Sequence, residues 1–412
     1  MNVAGGWAVG LLISPWISGE LLFHSRDAGA EPIDPPVEEV ALVERGGSVG
    51  RRRRTTASGG RGTTARDSGL LVPDRLGTEV EQLRRSLGDR VIGQSPAVEA
   101  ALQAFQIYHS GLANPDRPLG SFLFLGPTGT GKTNLVEAIA EACFGDRRAM
   151  LKVDCAEFSH SHEIARLIGS PPGYLGHQET SPYLSSANIT RYQTAESPFT
   201  LLLFDEIEKA NDSLWQLLLG ILDKARLTLG NNKEVDLSSC MIFLTSNVGS
   251  RAVSDILSPN MGFVHATDEP EDRVHRRIED AVLWTAKRTF APEFLNRIDH
   301  KVVFQRLERS ELEQILSIEL ANVERRLASR GDPIELDYSE RLCSRLLDEG
   351  TDPEHGARPL KRVLEQRLVF PLARLLASGQ LEGGEEVKVD WPEDSDEVQF
   401  FLTSPLPLVA TA

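Results

Sequence analysis

Apolar and polar positions along the chain follow two alternating periods. Short apolar runs at Ser121–Leu125, Met150–Asp154, Phe199–Asp205, Cys240–Thr245 and Lys301–Phe304 have the length and aromatic content of buried strands. Between them the spacing turns helical. Leu135, Val136, Ile139, Ala140 and Cys143 share one helix face, and Val80–Leu87 and Ala97–His109 repeat the pattern. Ser95-Pro96 predicts an N-cap followed by proline at the first helical position. Strands alternating with helices predict an α/β fold around a mainly parallel sheet, with ligand at the carboxyl ends of its strands.

From about Leu307 the pattern changes. Ser310 and Glu313 read as a capping box, and Leu312, Ile315, Leu316, Leu320, Val323 and Leu327 form a helical stripe ending near Gly331. A second helical region and two strand-like runs, Glu386–Trp391 and Val398–Leu402, predict a small α+β domain. The expected organisation is an atypical, disordered segment over 1–70, a core over 71–306, a small C-terminal domain over 307–402 and a tail over 403–412.

Composition changes this picture little. The apolar share of 41% and charged share of 25% are those of a soluble globular protein. The net charge is −16, and all of the acidic excess lies after residue 70. So acidic a core is a poor general binder of nucleic acid phosphates. Arg45–Arg66 holds seven arginines and no acid, which reads as a solvated basic tail. Cys143, Cys155, Cys240 and Cys343 have no metal-ligand spacing and read as small core residues in a reducing compartment. Residues 1–19 carry no charge but lack the basic lead-in of a secretory signal, and Gly5, Gly6, Gly10 and Pro15 interrupt the apolar run. A cytoplasmic protein is expected, with an N-terminal membrane anchor as the alternative.

The candidate chemistry begins at Gly126-Pro127-Thr128-Gly129-Thr130-Gly131-Lys132-Thr133, which fits the phosphate-binding pattern G-x-x-x-x-G-K-[ST] between a strand and a helix. Glycines let backbone N–H groups turn inward on an anion, and the helix adds its positive end. ATP and Mg²⁺ are therefore expected, with Lys132 on the β- and γ-phosphates and the Thr133 hydroxyl on the metal. Leu201–Glu206 is a buried strand ending in two carboxylates, of which Asp205 suits Mg²⁺ and Glu206 suits activation of a water. Met241–Asn247 is another such strand, and Asn247 can hold the attacking water or the γ-phosphate. Arg297, close to Asp299, and Arg358, at the start of a helix in the small domain, complete the candidates.

Together these motifs resemble the AAA+ Clp/heat-shock protein unfoldase family, in particular the second ATPase module of ClpB, ClpA and ClpC. The resemblance runs from about Asp89 to Asp390 through RVIGQ (90–94), GSFLFLGPTGTGKT (120–133), GSPPGYLG (169–176), LLLFDEIEKA (201–210), LTSNVGS (244–250), PEFLNRID (292–299) and GARPLKR (356–362). It implies a P-loop AAA+ sheet sandwiched by helices and followed by a lid domain. It makes Gly126–Thr133 the Walker A loop, Asp205 and Glu206 the Walker B pair, Asn247 the first sensor and Arg358 the second. Arg297 becomes a finger reaching a neighbouring subunit's γ-phosphate, and Val91 and Ile92 flank the adenine. Tyr174 becomes a pore residue that grips extended polypeptide, with flexible glycines on either side. The implied partners are unfolded proteins and further copies of the chain, in a hexamer.

The chain also departs from the family pattern. It carries one ATPase module. His177–Ser197 replaces an acidic, glycine-rich stretch, and Asp223–Arg226 and Leu229–Asn232 replace the glycine-rich turns of a second pore loop. Met261-Gly262-Phe263 is compatible with a tripeptide that docks in a Clp-type peptidase, which leaves the regulatory subunit of a protease as an alternative. A nucleic-acid motor is disfavoured by the acidic core, and a non-hydrolysing scaffold by Glu206 and Arg297.

Overall fold

In the computed structural model, the described residues are 76–170, 181–257, 271–329, 334–352 and 356–405. Tyr174, the Met261-Gly262-Phe263 tripeptide, the segment before Leu76 and the last seven residues lie outside them.

The core is a five-stranded sheet. Its strands are β1 (Gly120–Leu125), β2 (Leu151–Asp154), β3 (Thr200–Asp205), β6 (Cys240–Ser246) and β7 (His300–Val303), in the spatial order β2-β3-β6-β1-β7. All four pairings are parallel. The apolar runs become central strands because both sheet faces are covered. Leu123, Leu125, Leu202, Phe204, Ile242 and Leu244 point into one cluster with helices Asp212–Lys224 and Glu271–Thr289. Phe122, Phe124, Leu201, Leu203, Met241 and Phe243 point into the other, with helices Thr78–Gly88, Ser95–Ser110 and Lys132–Phe144. The period of two thus sorts each strand between two cores. Phe122 stands opposite Phe243 in register, with ring centroids 4.8 Å apart. This is the α/β architecture that the sequence predicts.

The boundaries of the five core strands agree with the patterning to within one residue, and helices Thr78–Gly88 and Ser95–Ser110 start two residues before the expected spans, but several local readings need correction. The helix starting at Ser95 takes Gln94, not Ser95, at its N-cap position. Gln94 is 2% exposed and is committed elsewhere: its side chain donates to Gln305 O (3.0 Å) and accepts from Gln305 N–H (3.1 Å). The capping box of helix Arg309–Ala328 is formed by Glu308 and Glu311 rather than Ser310 and Glu313. A carboxylate there also suits the positive end of the helix, so the helix starts earlier than the Ser signal suggests. Of the two segments read as replaced turns, Asp223–Arg226 closes helix Asp212–Lys224 and opens β4 (Arg226–Thr228), whereas Leu229–Asn232 is a turn, the one that joins β4 to β5 (Glu234–Asp236) in an antiparallel hairpin. The hairpin turn donates from Gly230 N–H to Ile168 O, 2.8 Å away.

A third apolar cluster, running from Leu307 to Trp391, lies beyond the sheet. It packs helices Arg309–Ala328, Glu340–Gly350, Arg358–Leu364 and Phe370–Ala377 on a small three-stranded sheet. β8 (Glu335–Tyr338) escaped the sequence reading, whereas β9 (Glu385–Asp390) and β10 (Gln399–Pro405) match the two expected runs. Trp391 is buried, with the Arg345 and Arg367 guanidiniums 4.3 and 5.1 Å from the ring centroid.

Candidate functional site

β1 ends in the glycine loop, and the helix that follows starts at Lys132. The loop requires glycine where other backbone crowds it. Gly126 has φ +130°, and a Cβ there would lie 2.6 Å from Phe304 O, because β7 leaves the sheet directly behind the loop. The first N–H groups of the helix have no partner within it and form, with the loop, a cradle for an anion.

Lys132 is 8% exposed. Its ammonium donates to Gly126 O and Pro127 O, both at 2.7 Å, and to Asn247 Oδ1 at 3.0 Å. Burial pulls its pKa down from 10.5 to about 8, although the charges of Glu208, Asp205 and Glu206 favour the ammonium; the Arg358 cation adds to the fall.

β3 delivers the two acids. Asp205 Oδ1 accepts from the Thr245 hydroxyl and, at 3.4 Å, from the Thr133 hydroxyl, while Oδ2 pairs with Lys152 Nζ at 2.7 Å. Burial favours its neutral form, but the Lys152 and Thr245 hydrogen bonds prevail and hold the carboxyl below its ordinary value. Glu206 takes a left-handed conformation (φ 57°) that is uncommon for a residue with a side chain. Its N–H donates to Thr245 Oγ1 (3.1 Å), which turns its side chain out of the strand direction and into the site. There Oε1 accepts from Asn247 Nδ2 at 3.2 Å, and Oε2 is paired with Lys209. Asn247, at the end of β6, is held by its own N–H donating to Glu208 Oε1 at 3.0 Å.

These groups line a cleft of about 520 Å³ between the core and the small domain. Val91 and Ile92 line it from the core, and Ile315, Ile318 and Asn322 from helix Arg309–Ala328. Arg358 lines the opposite wall, where Ala357 N–H donates to Gly129 O at 3.2 Å. The structure therefore brings Val91, Ile92, Thr128–Thr133, Asp205, Glu206, Asn247 and Arg358 together, with Gly126 and Pro127 holding the lysine. An apolar mouth, a cationic wall and a backbone cradle fit a nucleoside triphosphate. The hard oxygens of Thr133 and Asp205, converging beside that cradle, fit Mg²⁺.

Arg297 is not among the residues lining this cleft. Its guanidinium pairs with Glu293 (3.0 Å) and Asp223 (3.6 Å), whereas Asp299 is held by Arg117 (3.2 Å) and Ser121 (2.6 Å). The simple Arg297–Asp299 pair suggested by their proximity does not form.

Sequence reasoning missed Lys152, Thr245, Glu208 and Lys209. Lys152 had a signal, since β2 alternates and its exposed positions are 152 and 154. Ile315 was assigned only to the core stripe of its helix.

Such a sheet, loop and cleft define a P-loop protein of the AAA+ class. Residues 117–301 match the family described as AAA domain (Cdc48 subfamily), and residues 307–389 match the C-terminal, D2-small domain of ClpB protein. Chaperone protein ClpB of Rhodopseudomonas palustris is 36% identical over 360 residues, covering 87% of this chain and 38% of the relative. Chaperone protein ClpC2, chloroplastic, of Arabidopsis thaliana is 37% identical over 369 residues, again 87% and 38%. A structure of Hsp104 with ATPγS and FITC casein, in a closed state, superposes with a TM-score of 0.65 at 30% identity, over 79% of this chain and 52% of that one. The chain belongs to the Clp/heat-shock family of AAA+ proteins, and it spans well under half the length of those two chaperones.

Proposed function

We propose that this chain is a Mg²⁺-dependent ATPase subunit of a ring, with a hexamer as the family's form, that pulls polypeptide through a central pore. The observation that carries the ATPase is the convergence of Lys132, Asp205, Glu206 and Asn247 at the carboxyl ends of neighbouring strands, with Arg358 facing them across the cleft.

Lys132 exchanges the carbonyls of its own loop for the β- and γ-phosphate oxygens, and the backbone N–H groups of the loop and helix start donate to the remaining phosphate oxygens. Thr133 and Asp205 hold Mg²⁺, which when bound neutralises phosphate charge. Glu206 and Asn247 orient a water in line with the γ-phosphorus. As the water oxygen bonds to phosphorus, the bond to the β–γ bridging oxygen breaks, Glu206 accepts the water proton and ADP leaves with the electron pair. Val91 and Ile92 hold the base against Ile315 and Ile318. Arg358 reports the state of the phosphates to the small domain. Arg297, placed outside its own cleft, serves the site of the adjacent subunit. Tyr174 grips the substrate between Gly173 and Gly176.

The four unpaired thiols suit a reducing compartment, and we place the protein in the cytoplasm. Among the described residues no helix is long and apolar enough to cross a membrane.

The test is the Glu206→Gln chain with ATP. It should bind nucleotide, assemble and stall, and it should retain casein, the polypeptide named for the Hsp104 structure. A wild-type chain that neither assembles nor hydrolyses ATP refutes the proposal. Unfolding that persists in Tyr174→Ala refutes threading alone. Co-purification of a peptidase with the stalled ring, lost in Phe263→Ala, would favour the protease-subunit reading; stimulation by DNA but not by unfolded protein would favour a nucleic-acid motor.

A further inference from the structure

Lys152 has no part in the chemistry above, yet it stands at the centre of the site. β2 pairs in register with β3, Val153 opposite Phe204 and Asp154 opposite Asp205. Leu151 and Val153 are buried, so Lys152 points out of the sheet, toward the carboxyl end of the neighbouring strand. Its ammonium lies 2.7 Å from Asp205 Oδ2, and it lines the cleft. The other oxygen, Oδ1, accepts from Thr245 and Thr133. Both oxygens of the carboxylate are therefore engaged, and its charge is neutralised by the lysine. Resting on the reading of Asp205 as a Mg²⁺ ligand, we propose that Lys152 is a positioning residue: a tethered cation that occupies Asp205 until metal and nucleotide arrive together.

A divalent ion alone must displace an ammonium from Asp205 and gains few oxygen ligands in return. A divalent ion carried by a triphosphate brings its own oxygens and can afford the exchange. Moved aside, the Lys152 ammonium remains near the phosphates and adds positive charge to the cleft. A purely structural lysine, bracing β2 against β3, would leave metal binding unchanged when replaced by an isosteric apolar side chain.

The two roles separate in a Mn²⁺ titration of the full chain without nucleotide, followed by electron paramagnetic resonance. Lys152→Met should bind Mn²⁺ about threefold to fivefold more tightly than wild type, a modest figure because Lys152 is half exposed and its pair with Asp205 is screened. Lys152→Arg keeps the charge and should restore weak binding. Equal Mn²⁺ affinity in wild type and Lys152→Met, or an Arg variant that behaves like Met, overturns the proposal. If Lys152→Met fails to fold by circular dichroism, Lys152→Gln takes its place with the same expected outcomes. Binding of a non-hydrolysable ATP analogue with Mg²⁺ is a separate arm. If the wild-type chain binds no analogue, the ATPase reading falls, while the nucleotide-free Mn²⁺ comparison still decides the role of Lys152.

Discussion

Raising the pH above 8 should weaken ATP binding through one buried amine. Lys132 is almost fully buried, and its pKa falls from 10.5 to about 8 because burial disfavours the ammonium. Phosphate needs that ammonium, so ATP must restore its proton wherever the free protein has lost it. At pH 9.5, about 1.5 units above that value, re-protonation costs about 2 kcal/mol, or about 30-fold in affinity relative to pH 7. With Mg²⁺ bound, the triphosphate is ionised over this range and contributes no proton of its own. The assay is a fluorescent ATP analogue titrated with Mg²⁺ from pH 7 to 9.5, paired with calorimetry in buffers of different ionisation enthalpy. Proton uptake should rise from near zero at pH 7 to about one per site at pH 9.5. Stability without nucleotide should move the other way. The unfolded chain keeps the lysine proton up to 10.5, so between about 8 and 10.5 it binds more protons than the native state. The contribution of Lys132 to stability therefore rises with pH across that window, by at most about 3 kcal/mol. An affinity that stays flat to pH 9.5, with no proton taken up, refutes this reasoning.

Arg297→Ala should leave ATP binding intact and lower steady-state hydrolysis by about 10³-fold, and inactive Glu206→Gln subunits mixed with it should restore part of the turnover by supplying their own arginine; unchanged hydrolysis in the variant would remove Arg297 from the site. Gln94→Ala should leave the N–H and C=O of Gln305 without partners at the junction with the small domain, lowering stability by about 1–3 kcal/mol in urea unfolding. Phe243→Ala should cost about 3–5 kcal/mol by the same measurement, since it empties a fully buried ring position stacked on Phe122; a loss below about 1 kcal/mol would mean that the two-sided core repacks around the gap.

The parts of this protein that were legible in the sequence are those whose cause is local. A strand buried on both faces advertises itself as a continuous apolar run, and a phosphate loop needs its glycines and lysine at fixed spacing. Asp205 and Asn247 could be found because each sits at the end of such a run, and Lys132 because it closes the glycine loop. Lys209 could not be, because an exposed lysine reads as a solvated surface residue until a turn places it on an acid; for Lys152 the alternation of β2 shows only that it faces out of the core, and it takes the register with β3 to put it on Asp205. Gln94 was passed over for the same reason: its partner, Gln305, lies on the far side of the core sequence. The capping box was misplaced by two residues because Ser310 is a strong local signal, and Glu308 satisfies the helix start as well. β4 and β5 are three-residue strands, too short for alternation to be seen.

The contact between the glycine loop and the small domain also constrains how this sequence can change. Gly356 sits at φ +58°, and a Cβ there would lie 2.6 Å from Gly129 O, the same carbonyl that accepts from Ala357 N–H. Neither side can yield alone, because both glycines hold a left-handed backbone, Gly129 at φ +78° and Gly356 at φ +58°. Two glycines far apart in the chain therefore form a single heritable unit. Drift at position 356 is read out as a defect in the glycine loop it abuts, through Thr128 and Gly129, and compensation must come from that loop.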